Sequence, residues 1–159
     1  MAADDSNSDN RVHADAIPLH DLLGLSFDPP ETGARHAEVR MPVRPEAFGF
    51  TSNLHGGAIA TLVDLACALA AARSTALDVT KQSLVTADMH LRYLGRPRTD
   101  TVIARADVVR IGSQLIVVEC RVVDDDEHLI AVADFSMMIV ALRRPLTNTE
   151  ETEPGGPQL

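Results

Sequence analysis

The sequence predicts an α+β fold in which one long apolar helix is wrapped by a curved antiparallel sheet of about five to six strands. Three features carry that reading. Residues 54–73 form the longest helical pattern in the chain, with strong helix formers and no internal proline. Four later segments, 83–94, 101–110, 115–124 and 129–142, are rich in Val and Ile and read as strands. Between them, Ile111-Gly112-Ser113-Gln114 and Asp124-Asp125-Asp126-Glu127 have the turn-tolerant, polar residues that hairpin connections need.

At 159 residues the chain suits a single domain. Its 45% hydrophobic and 23% charged residues are those of a globular protein. Aromatic residues make up only 3%, so the core must be built from Ala, Val, Leu, Ile and Met, and small side chains imply closely spaced backbones. Residues 1–15 are polar and acidic, and 144–159 are rich in Pro, Gly, Thr and Glu; both read as flexible tails around a domain at 16–143.

Residues 17–25 carry apolar positions at helical spacing with Pro18 near the start, which predicts a short entry helix. Residues 35–43 alternate as a half-buried strand does and end among Pro42 and Pro45. A loop leads to the central helix, with Asn53 just ahead of it as a candidate cap. Seven alanines between Ala58 and Ala72 leave little bulk along that helix, so a sheet can approach it closely. The four strands that follow are expected as a meander, because short connections force antiparallel neighbours.

The formal charge is −9; residues 1–15 and 143–159 hold seven acidic against three basic residues, so the stretch between them carries −5. No broad basic face is available for nucleic acid or an anionic membrane, and neither is expected as a partner. The stretch 58–72 contains Asp64 and reads as too short to span a bilayer, and no charged region followed by an apolar one opens the chain, so a cytoplasmic location is expected. Cys67 and Cys120 lie in apolar runs and read as buried thiols rather than a disulfide. The acidic run 124–127 lacks the ligand spacing of a calcium loop and reads as a wet turn, and no metal site is expected elsewhere.

The chemistry concentrates in Thr51-Ser-Asn-Leu-His-Gly-Gly-Ala-Ile-Ala-Thr-Leu-Val-Asp64. Gly56 and Gly57 at a helix start let a ligand come close to backbone N–H groups that suit a developing negative charge. His55 adds a titratable neighbour. Asp64 lies inside an otherwise apolar helix, where a carboxylate is costly unless it is paired or used; a catalytic role and a local hydrogen-bond network both account for it. Eight residues separate Gly56 from Asp64, about 12 Å at the helical rise, too far for both to act on one carbonyl. If they share a substrate, they come from two chains, as in a two-fold dimer with antiparallel central helices. Arg96 and Arg98, with Arg92, form a small basic cluster suited to phosphates. His90 alternates with Asp88 and Arg92 on one strand face, which reads as solvated or as a subunit contact.

The run Asn-Leu-His-Gly-Gly-Ala-Ile-Ala-Thr-Leu-Val-Asp, followed about twenty residues later by Val-Thr-Ala-Asp-Met-His-Leu-Arg-Tyr-Leu, resembles hotdog-fold acyl-CoA thioesterases of the phenylacetic-acid-degradation (PaaI) type, in the 4-hydroxybenzoyl-CoA thioesterase superfamily. The resemblance covers roughly residues 45–142. It implies a homodimer, assembling as a dimer of dimers, that hydrolyses a thioester with no cofactor beyond the coenzyme A of its substrate. By matching position it gives Gly56 the carbonyl-polarising N–H, Asp64 of the partner subunit the role of base or nucleophile, Thr86 the water, and His55 a place beside the leaving sulfur. Gly57, Gly112 and Ser113 would meet the substrate, the last two at a hairpin where the coenzyme lies. The sequence departs from the family at Gly49, where an Asn assists the oxyanion; Asn53 is the candidate substitute. A non-catalytic acyl-CoA or acyl-carrier binding protein is the alternative, and a hydratase ranks last, because the paired His and acid it needs are absent from the expected strand and loop positions.

Overall fold

The computed structural model describes residues 17–142; the tails expected at 1–15 and 144–159 lie outside them. The entry helix α1 (Pro18–Leu23) begins at a proline and ends at Gly24, whose left-handed φ of 64° stops it. It is followed by β1 (Ser26–Phe27), β2 (His36–Pro42), a short 3-10 turn at Pro45–Ala47, the central helix α2 (Gly56–Ser74), and strands β3 (Gln82–Tyr93), β4 (Thr101–Ile111), β5 (Leu115–Asp124) and β6 (Leu129–Ala141).

All six strands join one antiparallel sheet in the order β1-β2-β4-β5-β6-β3. Both expected hairpins form, β4–β5 and β5–β6. The expected meander through all four strands does not: β3 pairs with β6 at the far edge, and β4 pairs with β2 instead. The connection explains the difference. Residues 94–100 have to cross three strand spacings, about 14 Å, well within the reach of seven extended residues, roughly 24 Å. Leu94 and Gly95 tie the crossing down by donating to Ile130 O at 2.8 and 3.0 Å.

The core lies between α2 and the concave face of the sheet. Ile59, Leu62, Val63, Ala66, Cys67, Ala70 and Ala71 of the helix meet Val39, Met41, Val102, Ala104, Ile116, Val118, Val122, Ile130 and Phe135 of the strands. By length and hydropathy alone α2 could cross a bilayer, contrary to the expectation from 58–72; eight of its residues are instead buried against this sheet. Cys67 and Cys120 are both buried and free. Each thiol is close enough to the other to matter: hydrogen bonding to Cys120, then burial, pushes the Cys67 thiol far up.

Two carboxylates hold the frame. Arg73 near the end of α2 donates to Asp28 Oδ2 at 2.8 Å and to Asp28 O at 3.1 Å. Burial disfavours the Asp28 charge, but the Arg73 guanidinium and backbone N–H groups together outweigh it and hold the carboxyl below its ordinary value. Asp124 corrects the reading of 124–127 as a wet turn, since it is fully buried. Burial again opposes its charge, while backbone N–H groups of Arg98 (2.8 Å), His128 (2.9 Å) and Asp126 (3.1 Å) donate to it and keep its carboxyl low. A carboxylate can close a turn that a neutral side chain cannot, because it accepts all three bonds. The same turn places Glu127 at φ 60°, with its carboxylate gripping Arg105 through two bonds of 2.6 and 2.8 Å.

Two predictions follow from this frame. Leu62, with no exposed surface at the helix–sheet contact, should lose about 2–5 kcal/mol of unfolding free energy as Leu62→Ala, measurable by urea denaturation. Asp28 and Asp124 have folded pKa values below their unfolded ones, so their stabilisation is complete above an unfolded carboxylate pKa of about 3.9 and drains away as pH falls through the lower folded values. Urea midpoints taken from pH 7 to pH 2 should therefore fall on the acid side, with a shallower fall in Asp28→Asn and Asp124→Asn. Equal acid slopes in wild type and variants would remove these carboxyls from the account.

Candidate active site

The start of α2 is assembled from its own first residues. His55 is the N-cap, with φ −64° and ψ 135°, and its Nδ1 accepts the Gly57 N–H at 2.8 Å. An accepting Nδ1 puts the ring proton on Nε2. The His55 carbonyl accepts the next two donors, from Ala58 at 2.9 Å and Ile59 at 3.2 Å. The Gly56 N–H is left, in this first turn, with no acceptor among the described residues. The cap expected at Asn53 is thus displaced by His55; Asn53 ties its own loop, donating to Thr51 O at 3.0 Å and Thr51 Oγ1 at 3.1 Å.

Both glycines are needed for space. A Cβ on Gly57 would sit 2.9 Å from His55 Nδ1, and one on Gly56 would sit 3.3 Å from the Tyr93 ring and hydroxyl. Tyr93, which the sequence reading assigned no site role, donates its hydroxyl to Gly56 O at 2.9 Å. Its one available signal is that it is the chain's single tyrosine.

Asp64 is half-buried, and its Oδ1 accepts from Thr86 Oγ1 at 2.9 Å. Plain alternation would put Thr86 on the face of Asp88, His90 and Arg92. A bulge between Thr86 and Asp88 inserts Ala87 and switches the parity. Leu84, Thr86, Met89, Leu91 and Tyr93 all end on the helix side, while His90 and Arg92 stay outside near Asp134, at 4.0 and 3.7 Å. One strand therefore supplies partners at both ends of the site, Thr86 to Asp64 and Tyr93 to Gly56.

The other residues named from sequence are distributed unevenly. A cavity of about 230 Å³ is lined by Thr51, Asn53, Gly56, Ile59, Tyr93 and Arg96, among others. Arg98 is absent from its lining; its backbone N–H closes the Asp124 turn. Gly112 and Ser113 form the β4–β5 turn at the opposite end of the sheet: nearby Leu115 pairs with Met138, which pairs with Val85, whereas Tyr93 pairs with Ala131. Gly49 packs directly on His55, where an added Cβ would lie 3.4 Å from His55 Cα and Cδ2. Among the described residues no three His, Cys, Asp or Glu side chains group as a metal site would.

Residues 51–131 match the model of the family described as Thioesterase superfamily. The chain belongs to that family. A Halobacterium salinarum protein named provisionally as an esterase is 33% identical over 124 residues, covering 76% of this chain and 80% of its own. The Staphylococcus aureus thioesterase SAV0944 superposes with a TM-score of 0.69 at 27% identity, over 76% of this chain and 97% of its own. The BH2602 protein of Bacillus halodurans, solved with CoA, gives a TM-score of 0.60 at 32% identity over 65% and 66% of the two chains. Escherichia coli PaaI, at 20% identity over 79% and 86% of the two chains with a TM-score of 0.68, shares the fold. The six-stranded sheet curled on one helix is thus a hotdog fold of the PaaI kind.

In this thioesterase-superfamily chain the two ends of the site have complementary chemistry. A fixed N–H at a helix start stabilises an oxyanion without reorganising. A half-buried carboxylate held by a hydroxyl is placed to take a proton from water. They stand about 12 Å apart on one rigid helix, so no single chain brings them together. The His55 cap should fail in Gly57→Ala, whose Cβ meets Nδ1; a loss of about 1 kcal/mol, read from thermal or urea unfolding, is expected, and an unchanged stability would show that the cap does not matter.

Proposed function

We propose that the protein is an acyl-CoA thioesterase whose working site spans two copies of the chain. The observation that carries the reading is the separation just described: an open Gly56 N–H and an Asp64 carboxylate held by Thr86 of β3, the glycine and the aspartate fixed on one helix and unable to meet. In an antiparallel pairing of two α2 helices, Asp64 of the partner subunit comes to Gly56. The geometry of β3 supports such a pairing, because this twelve-residue strand is bonded to β6 on one side only and leaves a long free edge. The same two-fold operation brings the Gly112–Ser113 turn, at the Thr86 end of one sheet, towards the Gly56 end of the other.

In this reading the Gly56 N–H polarises the thioester carbonyl, and His55 Nε2–H stands beside the sulfur. Asp64 of the partner subunit, oriented by the partner's Thr86, takes a proton from the attacking water or attacks directly. When water adds, collapse of the tetrahedral oxyanion breaks the C–S bond, the proton taken by Asp64 passes to the sulfur, and the carboxylic acid and the CoA thiol leave. When Asp64 adds, collapse releases the CoA thiolate, which takes a proton from solvent, and leaves a mixed anhydride that water then hydrolyses to the carboxylic acid, restoring the Asp64 carboxylate. Arg96 in the neighbouring cavity offers a cation to the phosphates of coenzyme A, and the CoA bound to the BH2602 relative supports that ligand class. Pairing of two such dimers would give the expected dimer of dimers.

One observation favours a second reading, binding without turnover. Gly49 stands beside His55 where the resembling family has an Asn, so a side-chain donor for the oxyanion is missing. Thiol release from a panel of acyl- and aryl-CoA substrates separates the two. Hydrolysis that falls by about 10²–10⁴ in Asp64→Asn supports the enzyme; silence across the panel with retained binding supports the binding protein.

Mixed dimers test whether the site is shared. Gly56→Pro removes the donor at a position where proline is tolerated, the first of the helix and after a His55 ψ of 135°. Because its Cβ also presses on Tyr93 at 3.3 Å, thermal unfolding of the variant is measured beside its activity. Each variant alone should be nearly inactive. Co-refolded, Asp64→Asn and Gly56→Pro chains should recover about a quarter of wild-type activity, one intact site in each mixed dimer. Mixtures no more active than their parents would place both groups' action within one chain.

A further inference from the structure

A trench whose lining includes Met137, the β6 partner of Thr86, leads from beside the half-buried Asp64–Thr86 pair away from Gly56. Ala68 lies one helical turn beyond Asp64, and Leu84 lies two residues before Thr86 on the same face of β3. From there a cavity of about 620 Å³ runs between the C-terminal half of α2 and the β3–β6 edge, floored by Ala68, Leu69, Ala72, Leu84 and Met137 and rimmed by Val79. From Asp64 to Ala72 the helix advances about 12 Å.

Its chemistry differs from that of its neighbours. The cavity at Gly56 contains Arg96, and the one under α1 contains Glu46 and His55. The trench has no charged lining residue and no aromatic ring, and its polar residues, Gln82 and Ser83, lie at the start of β3, farthest from Thr86. Val79 on its rim is 75% exposed. An open apolar trench of this size asks for an apolar occupant, and its near end, at Ala68, lies one helical turn from the proposed catalytic carboxylate.

Resting on the acyl-CoA reading above, we propose that the trench takes the acyl group, that this group is an aliphatic chain of medium length rather than an aryl ring, and that Ala68 and Ala72 set its length. The carbonyl sits between Gly56 and the partner's Asp64, the coenzyme extends past Arg96, and the acyl chain runs along the partner's Ala68 towards the partner's Ala72. Methyl side chains at these two positions, one turn apart, leave the floor open; a larger side chain at either closes it.

The test compares kcat/KM for acetyl-, butyryl-, octanoyl-, dodecanoyl- and benzoyl-CoA in wild type, Ala68→Leu and Ala72→Phe, with sedimentation and thermal unfolding of each. Wild type should gain about fourfold per methylene up to medium chain length, and prefer octanoyl- over benzoyl-CoA. Ala72→Phe should lower the dodecanoyl-to-acetyl ratio at least about tenfold, and Ala68→Leu should shift the optimum to shorter chains still, because it stands nearer to Asp64. An unchanged ratio, an equal loss on every substrate, or a preference for benzoyl-CoA overturns the assignment. Dissociation of the dimer with an unchanged ratio also overturns it, and gives the trench to a second copy of the chain. If wild type hydrolyses none of the panel, the thioesterase reading fails by itself, and calorimetry with octanoyl-CoA still tests the trench: Ala72→Phe must weaken octanoyl-CoA binding relative to free CoA.

Discussion

The close contact of α2 with the sheet governs the rest of the molecule. Ala66, Cys67, Ala70 and Ala71 have no exposed surface, and their small side chains let the strands curl tightly around one side of the helix. Burial on that side leaves a different stripe of the helix only partly covered, through Thr61, Asp64, Ala68 and Ala72. Among the described residues, the groups of the proposed site lie on or beside that stripe.

A helix packed on a sheet is a rigid ruler. Its rise fixes the interval between Gly56 and Asp64, and no side-chain rearrangement can close it. The fold thereby separates the group that suits an oxyanion from the group that suits a base, and in the proposed dimer the free edge of β3 is the route by which another chain restores the pair. An enzyme of the proposed kind would depend on assembly, because the acid and the donor would meet only where two copies do.

The carboxylates divide in a way that burial explains. Asp124 is fully enclosed, accepts three backbone N–H groups and closes a turn; with those bonds made it has nothing left to offer a substrate. Asp28 is held by Arg73 and anchors the start of the sheet to the end of α2. Asp64 has one hydroxyl partner and keeps an oxygen open. Ion pairs and backbone donors engage the structural acids here, while Asp64, the acid proposed for the chemistry, keeps one oxygen open.

Much of this was legible in the sequence. Local rules sufficed for the long helix, for each main strand and for the two tight hairpins, because periodicity, turn residues and the absence of proline act over a few residues at a time. The His-Gly-Gly start and Asp64 stood out for the same reason: glycines at a helix end and a carboxylate among alanines are anomalies that no neighbour hides. Tertiary structure decided what depends on residues far apart. The seven-residue crossing from β3 to β4 carries as little sequence signal as a hairpin would, so the edge position of β3 came only from the competition among strands for partners. The bulge at Ala87 reversed the parity that alternation predicts, and so brought Thr86 and Tyr93 to the same face. His55 displaced Asn53 as the cap because its Nδ1 reaches the Gly57 N–H, a fit set by backbone angles rather than by residue type. Composition and period determined which elements form; register, parity and reach, which are properties of paired strands and not of any one segment, determined which side chains meet.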